Sequence, residues 1–248
     1  MEYQAVLFDL FDTLVLFDRN RLPVVEVNGR AVRSTAGRLY EVFRAYAPDV
    51  DLGAFADALL GSWQEAERLR SIDHREVSAP QRFRMLFERL GLDPDRVPAA
   101  LVEALLSAHR QELSRAMEFP GHHGPLLARL APLYRLAVVS NFDYAPTAKT
   151  ILDAAGVADL FTAIVVSDEV GWRKPKPVIF EETLRRLGVG PRQALFVGDR
   201  ADIDVVGAQA VEMDVAWINR GAEPLPSGIR PPEFEIRDLA ELLSILGA

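Results

Sequence analysis

The sequence predicts an α/β protein, a doubly wound, Rossmann-like parallel-sheet core with an inserted, mainly helical domain. Three observations carry that prediction. An apolar run, Ala5-Val6-Leu7-Phe8, stops abruptly at Asp9, as a buried strand does when it delivers side chains to a loop at its carboxyl end. About a hundred residues of helix-period sequence follow. From Pro120-Gly121 onward, short apolar runs alternate with helical stretches, the pattern of parallel strands covered by helices on both faces.

At 248 residues, the chain can form one large α/β domain or a core carrying a smaller second one. Hydrophobic residues at 49% and charged residues at 26% are the balance of a globular protein. A net charge of −8 and no long basic run argue against nucleic acid or an anionic membrane surface as partner. Cysteine is absent, which excludes disulfides, thiolate zinc sites and a cysteine nucleophile and fits a reducing cytoplasm. The N-terminal apolar stretch, broken at Asp9, matches neither a signal peptide nor a membrane span, so a soluble, unprocessed protein is expected.

After the opening strand, Val24 to Val32 reads VVEVNGRAV, and Asn28-Gly29 is the pair best suited to a two-residue hairpin turn. Ser34 is placed to cap a helix with Ala36, Leu39, Tyr40 and Phe43 on one face. Asp51 to about Arg70 repeats the helical pattern with Leu52, Phe55, Leu59 and Trp63, which are expected to be core. So do the segment from Pro80, with Phe83, Leu86, Phe87 and Leu90, and the segment from Pro98, with Leu101, Leu105 and Leu113. In the second half, strands are expected at Leu136 to Val139, Ala163 to Val166, Ala194 to Val197 and Val215 to Ile218. Helices are expected at Pro146 to Ala155, Pro177 to Leu187, Asp204 to about Val211 and Asp238 to Leu246, with Gly156 and Gly188 as stops. The proline-rich stretch Glu223 to Glu235 reads as a surface loop. The expected domains are residues 1–15 with 118–248 as the core and 16–117 as the insertion, including a small hairpin at 24–33.

Residues just past the ends of parallel strands gather in one crevice. Here these are Asp9, Ser140-Asn141 and Asp199, with Lys174 in an intervening loop. Asp9 and Asp199 suit a hard cation such as Mg²⁺, which in turn holds a phosphate oxygen. Lys174 supplies a point charge for phosphate, and the Ser140 hydroxyl with nearby amides supplies directed donors. The Asp9 carboxylate is then free to attack phosphorus, splitting one hard displacement into two easier ones.

These segments resemble, in order, the motifs of the haloacid dehalogenase superfamily of hydrolases. The first is similar to Phe8-Asp9-Leu10-Phe11-Asp12-Thr13-Leu14, the second to Ser140-Asn141, the third to Lys174-Pro175, and the fourth to Val197-Gly198-Asp199 with Asp204. Separations of 131, 34 and 25 residues between Asp9, Ser140, Lys174 and Asp199 leave room for the family's helical C1-type cap after the first motif. The resemblance implies a hydrolase with Asp9 as nucleophile. Lys174, Ser140 and Asn141 complete the catalytic group, and Asp9, Asp199 and the Phe11 main-chain carbonyl ligate Mg²⁺. Thr13, Asp12 and Asp204 are expected at the substrate or behind these groups, with Asp204 orienting Lys174 or a metal-bound water.

One residue departs from that pattern. Phosphatases resembling this chain carry a second aspartate two positions after the nucleophile, as general acid and base, whereas here that position is Phe11. The missing help is worth roughly 10²–10⁴-fold. Asp12, one position on, replaces the family's usual glycine. Dehalogenases of the superfamily carry an aromatic residue at the Phe11 position but lack the metal-binding aspartate that Asp199 resembles. A haloacid carboxylate beside Asp199 without a metal would set like charges close together. The favoured expectation is Mg²⁺-dependent hydrolysis of a small phosphomonoester; the alternatives are 2-haloacid dehalogenation and weakly catalytic phosphate binding. Elsewhere, Asp202 is expected to favour a helix N-terminus, Arg19 and Arg21 to be surface charges, and His122-His123 to lack the third ligand a metal needs.

Overall fold

The computed structural model describes residues 3–248, which divide into two compact units, 3–16 with 119–248, and 17–118. Strand β1 (Ala5–Phe8) opens the first unit with all four side chains fully buried. The chain then crosses at β2 (Leu16–Phe17) into the helical unit.

There, β3 (Val24–Val27) and β4 (Arg30–Arg33) pair antiparallel around Asn28-Gly29, whose φ of +51° and +74° are the positive values a two-residue turn requires. Helix α1 (Ala36–Phe43) follows, and the Ser34 hydroxyl accepts from its first amide, Ala36, at 3.1 Å. Helix α2 (Leu52–Asp73) is capped by the Asp51 carboxylate on the Ala54 amide and ends at His74 in the left-handed region. Helix α3 (Ala79–Arg89) has a reciprocal Ser78–Gln81 capping box and Pro80 in its first turn. Helix α4 (Ala99–Arg115) completes this unit's helices, and the chain returns at β5 (Met117–Glu118), which pairs with β2.

Phe43, Phe55 and Phe87 form the aromatic centre of the helical unit, with Phe43 4.9 Å from Phe55 and 6.4 Å from Phe87 between ring centroids. Trp63 does not join them. It is 50% exposed, and α2 instead buries Phe55, Ala58, Gly61, Ser62 and Ala66. The expectation of a core Trp63 fails because α2 turns its small residues inward. At Gly61, a Cβ would sit 2.8 Å from the Arg89 guanidinium of α3, so the absence of a side chain there gives that guanidinium its place against α2.

The remainder of the first unit alternates helices and strands: α5 (His123–Leu130), β6 (Arg135–Ser140), α6 (Ala145–Ala154), β7 (Phe161–Val166), the single-turn α7 (Ser167–Val170) and α8 (Pro177–Leu187), of which the sequence pattern marks neither α5 nor α7. Then come β8 (Ala194–Gly198), a π-turn at Ala201–Val205 running into α9 (Val206–Ala210), β9 (Asp214–Ile218), β10 (Phe234–Ile236) and α10 (Leu242–Leu246). Strand β10 corrects the expectation of a loop through Glu235. It is only three residues long and follows prolines, so no alternation marks it, yet it pairs in parallel with β9 through Phe234–Ala216, Glu235–Trp217 and Ile236–Ile218.

The sheet order is β10-β9-β8-β1-β6-β7 with parallel pairing throughout. Counted along the chain from β1, this is the 3-2-1-4-5-6 arrangement of doubly wound folds. Strand β1 lies between β6 and β8, so Phe8 faces Val138 on one side and Val197 on the other. Successive connections leave β1 in opposite directions, which opens the crevice at its carboxyl end. Ile179, Phe180, Leu184, Val205 and Ala208 pack on Leu7, Val139, Phe196 and Val215 to close one face of the sheet.

Candidate active site

Asp9 is the first residue past β1, and its amide donates to Val197 O at 2.8 Å, which continues the ladder by one bond and fixes the carboxylate at the sheet edge. Lys174, in the loop between α7 and α8, places its ammonium 2.6 Å from Asp9 Oδ1 and 2.8 Å from Asp204 Oδ1. All three groups are buried. Asn141 sets Lys174 from behind: its side-chain nitrogen donates to Lys174 O at 2.9 Å, and its oxygen accepts from the Lys174 amide at 2.7 Å.

Asp204 enters from the π-turn after β8, a wide turn of the kind often found at functional sites. Its second oxygen accepts from the Arg200 amide at 3.0 Å. Gly198 is the glycine this arrangement requires, since a Cβ there would lie 2.4 Å from Asp204 Oδ2 and 2.7 Å from its Cβ. Asp202 lies in the first turn of the same segment as Asp204, the helix N-terminal place expected of it, and also forms an exposed ion pair with Arg200 at 2.7 Å.

Asp199 is half-buried beside these groups, and its main-chain oxygen accepts from the Trp217 indole at 2.8 Å. Thr13 is fully buried and directs its hydroxyl to Asp199 Oδ1 at 3.5 Å. Oxygens of Asp9, Asp199 and Asp204 lie within 4.8 Å of one another. Asp204 is committed to Lys174 and the Arg200 amide, which leaves Asp9 and Asp199 as the hard-oxygen donors suited to a divalent cation such as Mg²⁺.

Electrostatics reinforce that fit. Burial raises the Asp9 carboxyl above its ordinary range; Lys174 opposes the shift, and Asp204 and Asp199 add to it. Asp199 is likewise raised, first by burial and then by Asp204, with Lys174 opposing. Burial disfavours the Lys174 cation, but Asp204 and Asp9 outweigh it and hold the ammonium above its ordinary pKa. The buried Lys174 cation thus faces three carboxylates, with the exposed Arg200 guanidinium also acting on Asp199 and Asp204, and the mutual repulsion that raises Asp9 and Asp199 is what a further cation would relieve. Ser140, at the end of β6, buries its hydroxyl with no hydrogen-bond partner among the described residues, an orphan donor at the same sheet edge.

Residues 3–212 match the model for haloacid dehalogenase-like hydrolases. The chain belongs to that family. A relative named glyceraldehyde 3-phosphate phosphatase from Methanopyrus kandleri is 31% identical over 98% of this chain and 97% of its own. Among solved structures, a HAD phosphatase from Thermococcus onnurineus superposes with a TM-score of 0.63 at 26% identity, covering 98% of each chain. A 2-haloacid dehalogenase from Pseudomonas syringae pv. Tomato has a TM-score of 0.73 at 24% identity over 99% of this chain and 98% of its own, a likeness of fold.

In this hydrolase Phe11 is half-buried, its ring centroid 4.8 Å from that of Phe142, the residue after Asn141. Asp12 is exposed and adopts φ of +57°, the left-handed region that glycine usually occupies and that aspartate tolerates better than most residues. His122 pairs with Asp238 at 3.2 Å, while buried His123 contacts Leu14 O at 2.9 Å through Nδ1. Neither belongs to the acidic cluster. Sequence reasoning missed Trp217, Arg220 and the structural use of His123. The one available signal for the first two is their position at the carboxyl end of β9, on the edge that carries Asp9 and Asp199.

Proposed function

We propose that this hydrolase is a Mg²⁺-dependent phosphatase acting on a small phosphomonoester, with Asp9 as nucleophile. The observation that carries the proposal is the second carboxylate, Asp199, at the same strand edge as Asp9 and within the same acidic cluster. A site for a haloacid carboxylate has no use for that charge, whereas a phosphate-binding site uses it to hold a cation. The Methanopyrus kandleri relative, named a phosphatase, supports the same choice.

When bound by Asp9, Asp199 and the Phe11 carbonyl, Mg²⁺ would neutralise phosphate charge and align the phosphorus with Asp9. The chain's own groups do the rest. Lys174 holds the Asp9 carboxylate in place and adds positive charge beside the phosphoryl group, and the Ser140 hydroxyl donates to a phosphoryl oxygen. An Asp9 oxygen attacks phosphorus as the bond to the leaving oxygen breaks, and water then hydrolyses the aspartyl-phosphate. Residues 17–118 are proposed as the cap that selects the substrate, and the cytoplasm as the site of action. No helix among the described residues is long and apolar enough to cross a membrane.

The test is phosphate release from an aryl phosphate with and without Mg²⁺, run beside halide release from a 2-haloacid. Mg²⁺-dependent phosphate release is expected. Metal-independent halide release without phosphatase activity would overturn the proposal in favour of dehalogenation, the reading that the aromatic Phe11 favours. Tight phosphate binding with neither reaction would identify a phosphate binder.

A further inference from the structure

Three successive carbonyls of the loop that follows Asp9 are held by side chains from distant parts of the same unit. Arg220 donates through Nη1 to Asp12 O and through Nη2 to Thr13 O, the latter at 3.4 Å, and His123 meets the next carbonyl, Leu14 O, at 2.9 Å. The base of Arg220 is itself fixed. Asn219, buried at the end of β9, donates its amide to Ile236 O at 2.7 Å, and its side chain to Glu223 O at 2.8 Å and Glu235 Oε1 at 2.7 Å. It also accepts from the Glu223 amide at 2.9 Å.

Two residues before Asn219 on the same strand, Trp217 holds the Asp199 main chain through its indole. The segment Trp217–Arg220 therefore grips both sides of the acidic cluster, Asp199 directly and the Asp9 loop through Asp12 and Thr13. The Thr13 hydroxyl reaches Asp199 Oδ1 at 3.5 Å and closes the circuit. A guanidinium suits the task because its planar fork offers two donors in fixed geometry, whereas a lysine ammonium is a single flexible point.

We propose that Arg220 is a positioning residue that fixes the loop bearing Asp9, Phe11 and Thr13 relative to Asp199 and so sets the spacing of the cation-binding carboxylates. This rests on the assignment of Asp9 as nucleophile and Asp199 as cation ligand. Misplacement of a reacting group by about 1 Å can cost on the order of 10²-fold in rate without loss of the fold.

The experiment compares wild type, Arg220→Ala and Arg220→Lys by Mn²⁺ titration followed by electron paramagnetic resonance, by aryl phosphate kinetics, and by thermal unfolding without metal. Arg220→Ala is expected to weaken Mn²⁺ binding several-fold and to lower kcat by about 10–100-fold. KM should change less than about twofold and the far-UV dichroism not at all; Arg220→Lys should fall between, and added guanidinium should restore part of kcat to Arg220→Ala alone. Wild-type Mn²⁺ affinity and kcat in Arg220→Ala would overturn the proposal, as would losses that track a large fall in Tm and ignore guanidinium. If the wild type shows no phosphatase activity, the proposed function fails. The Mn²⁺ titration still decides whether Arg220 positions the carboxylates.

Discussion

The Lys174 ammonium lies 2.6 Å from the Asp9 carboxylate in a region both groups share with Asp204, and neither end of the pair is open to solvent. The two ends respond differently to neutralisation. Asp9→Asn removes one of three crowded carboxylates and keeps an oxygen for Lys174, so it should abolish phosphate release while leaving Tm without metal unchanged or raised. Lys174→Met strands Asp9 and Asp204 without their cation, a change that costs about 3–5 kcal/mol in buried pairs. Calorimetry of the two variants side by side checks this; a large Tm loss in Asp9→Asn would show that the pair stabilises more than the like charges repel.

On the proposed mechanism, Phe11 stands where the resembling phosphatases carry the carboxyl group that protonates the leaving oxygen and later activates water. Restoring that group by Phe11→Asp should raise kcat for an alkyl phosphate by between about 10-fold and 10⁴-fold, the range of general acid–base catalysis. The gain should be smaller for an aryl phosphate, whose leaving group needs less protonation. An equal rate in Phe11→Asp and wild type on both substrates would show that another group, with Asp12 the nearest in sequence, already serves.

Gly198 faces the Asp204 side chain with no room for a methyl group, since an added Cβ would approach to 2.4 Å. Gly198→Ala should therefore push Asp204 off the Arg200 amide and away from Lys174, destabilise the fold by about 1–3 kcal/mol, and lower kcat. Urea unfolding with unchanged m-value gives the stability change. Wild-type Cm and kcat together would contradict the packing.

Most of this site could be read from residues at strand ends, because a parallel sheet carries every such residue to one edge. Asp9, Ser140, Lys174 and Asp199 announce themselves by chemical type after a short apolar run or in a loop between such runs. Arg220 does not. It binds main-chain carbonyls, which leave no trace in the sequence of the loop they belong to. His123 is similar: a buried imidazole held by Leu14 O looks, in sequence, like any histidine after a turn. Trp63 shows the limit of periodicity, since a helix face rich in large apolar residues can point outward when small residues on another face allow closer packing. The three-residue strand at Phe234 carries too little alternation to be seen before its pairing is known.

Protons and metal should compete for the acidic cluster, while protons act in the opposite direction at His123. Burial holds Asp9 and Asp199 above the usual carboxylate range, so between their ordinary 3.8 and their raised values the folded chain binds more protons than the unfolded one. In that window metal-free stability falls as pH rises. A cation between the two carboxylates removes the penalty, so Mg²⁺ should raise Tm clearly near pH 7.5 and little near pH 5, where protons compete for the same oxygens. His123 works the other way. Burial lowers its pKa below 6.5 despite the bond to Leu14 O, so below about 6.5 the unfolded chain binds more protons and stability is lost as pH falls through the folded value. His123→Asn, which keeps a donor for Leu14 O but does not titrate, should gain stability relative to wild type as pH falls from 8 to 5.5, because only the wild type loses ground there. Thermal unfolding of both proteins at these pH values, each with and without Mg²⁺, separates the two effects. A Mg²⁺ shift equally large at pH 5 and 7.5 would remove the carboxylates from the binding site, and a pH-independent difference between the variants would remove His123 from the acid response.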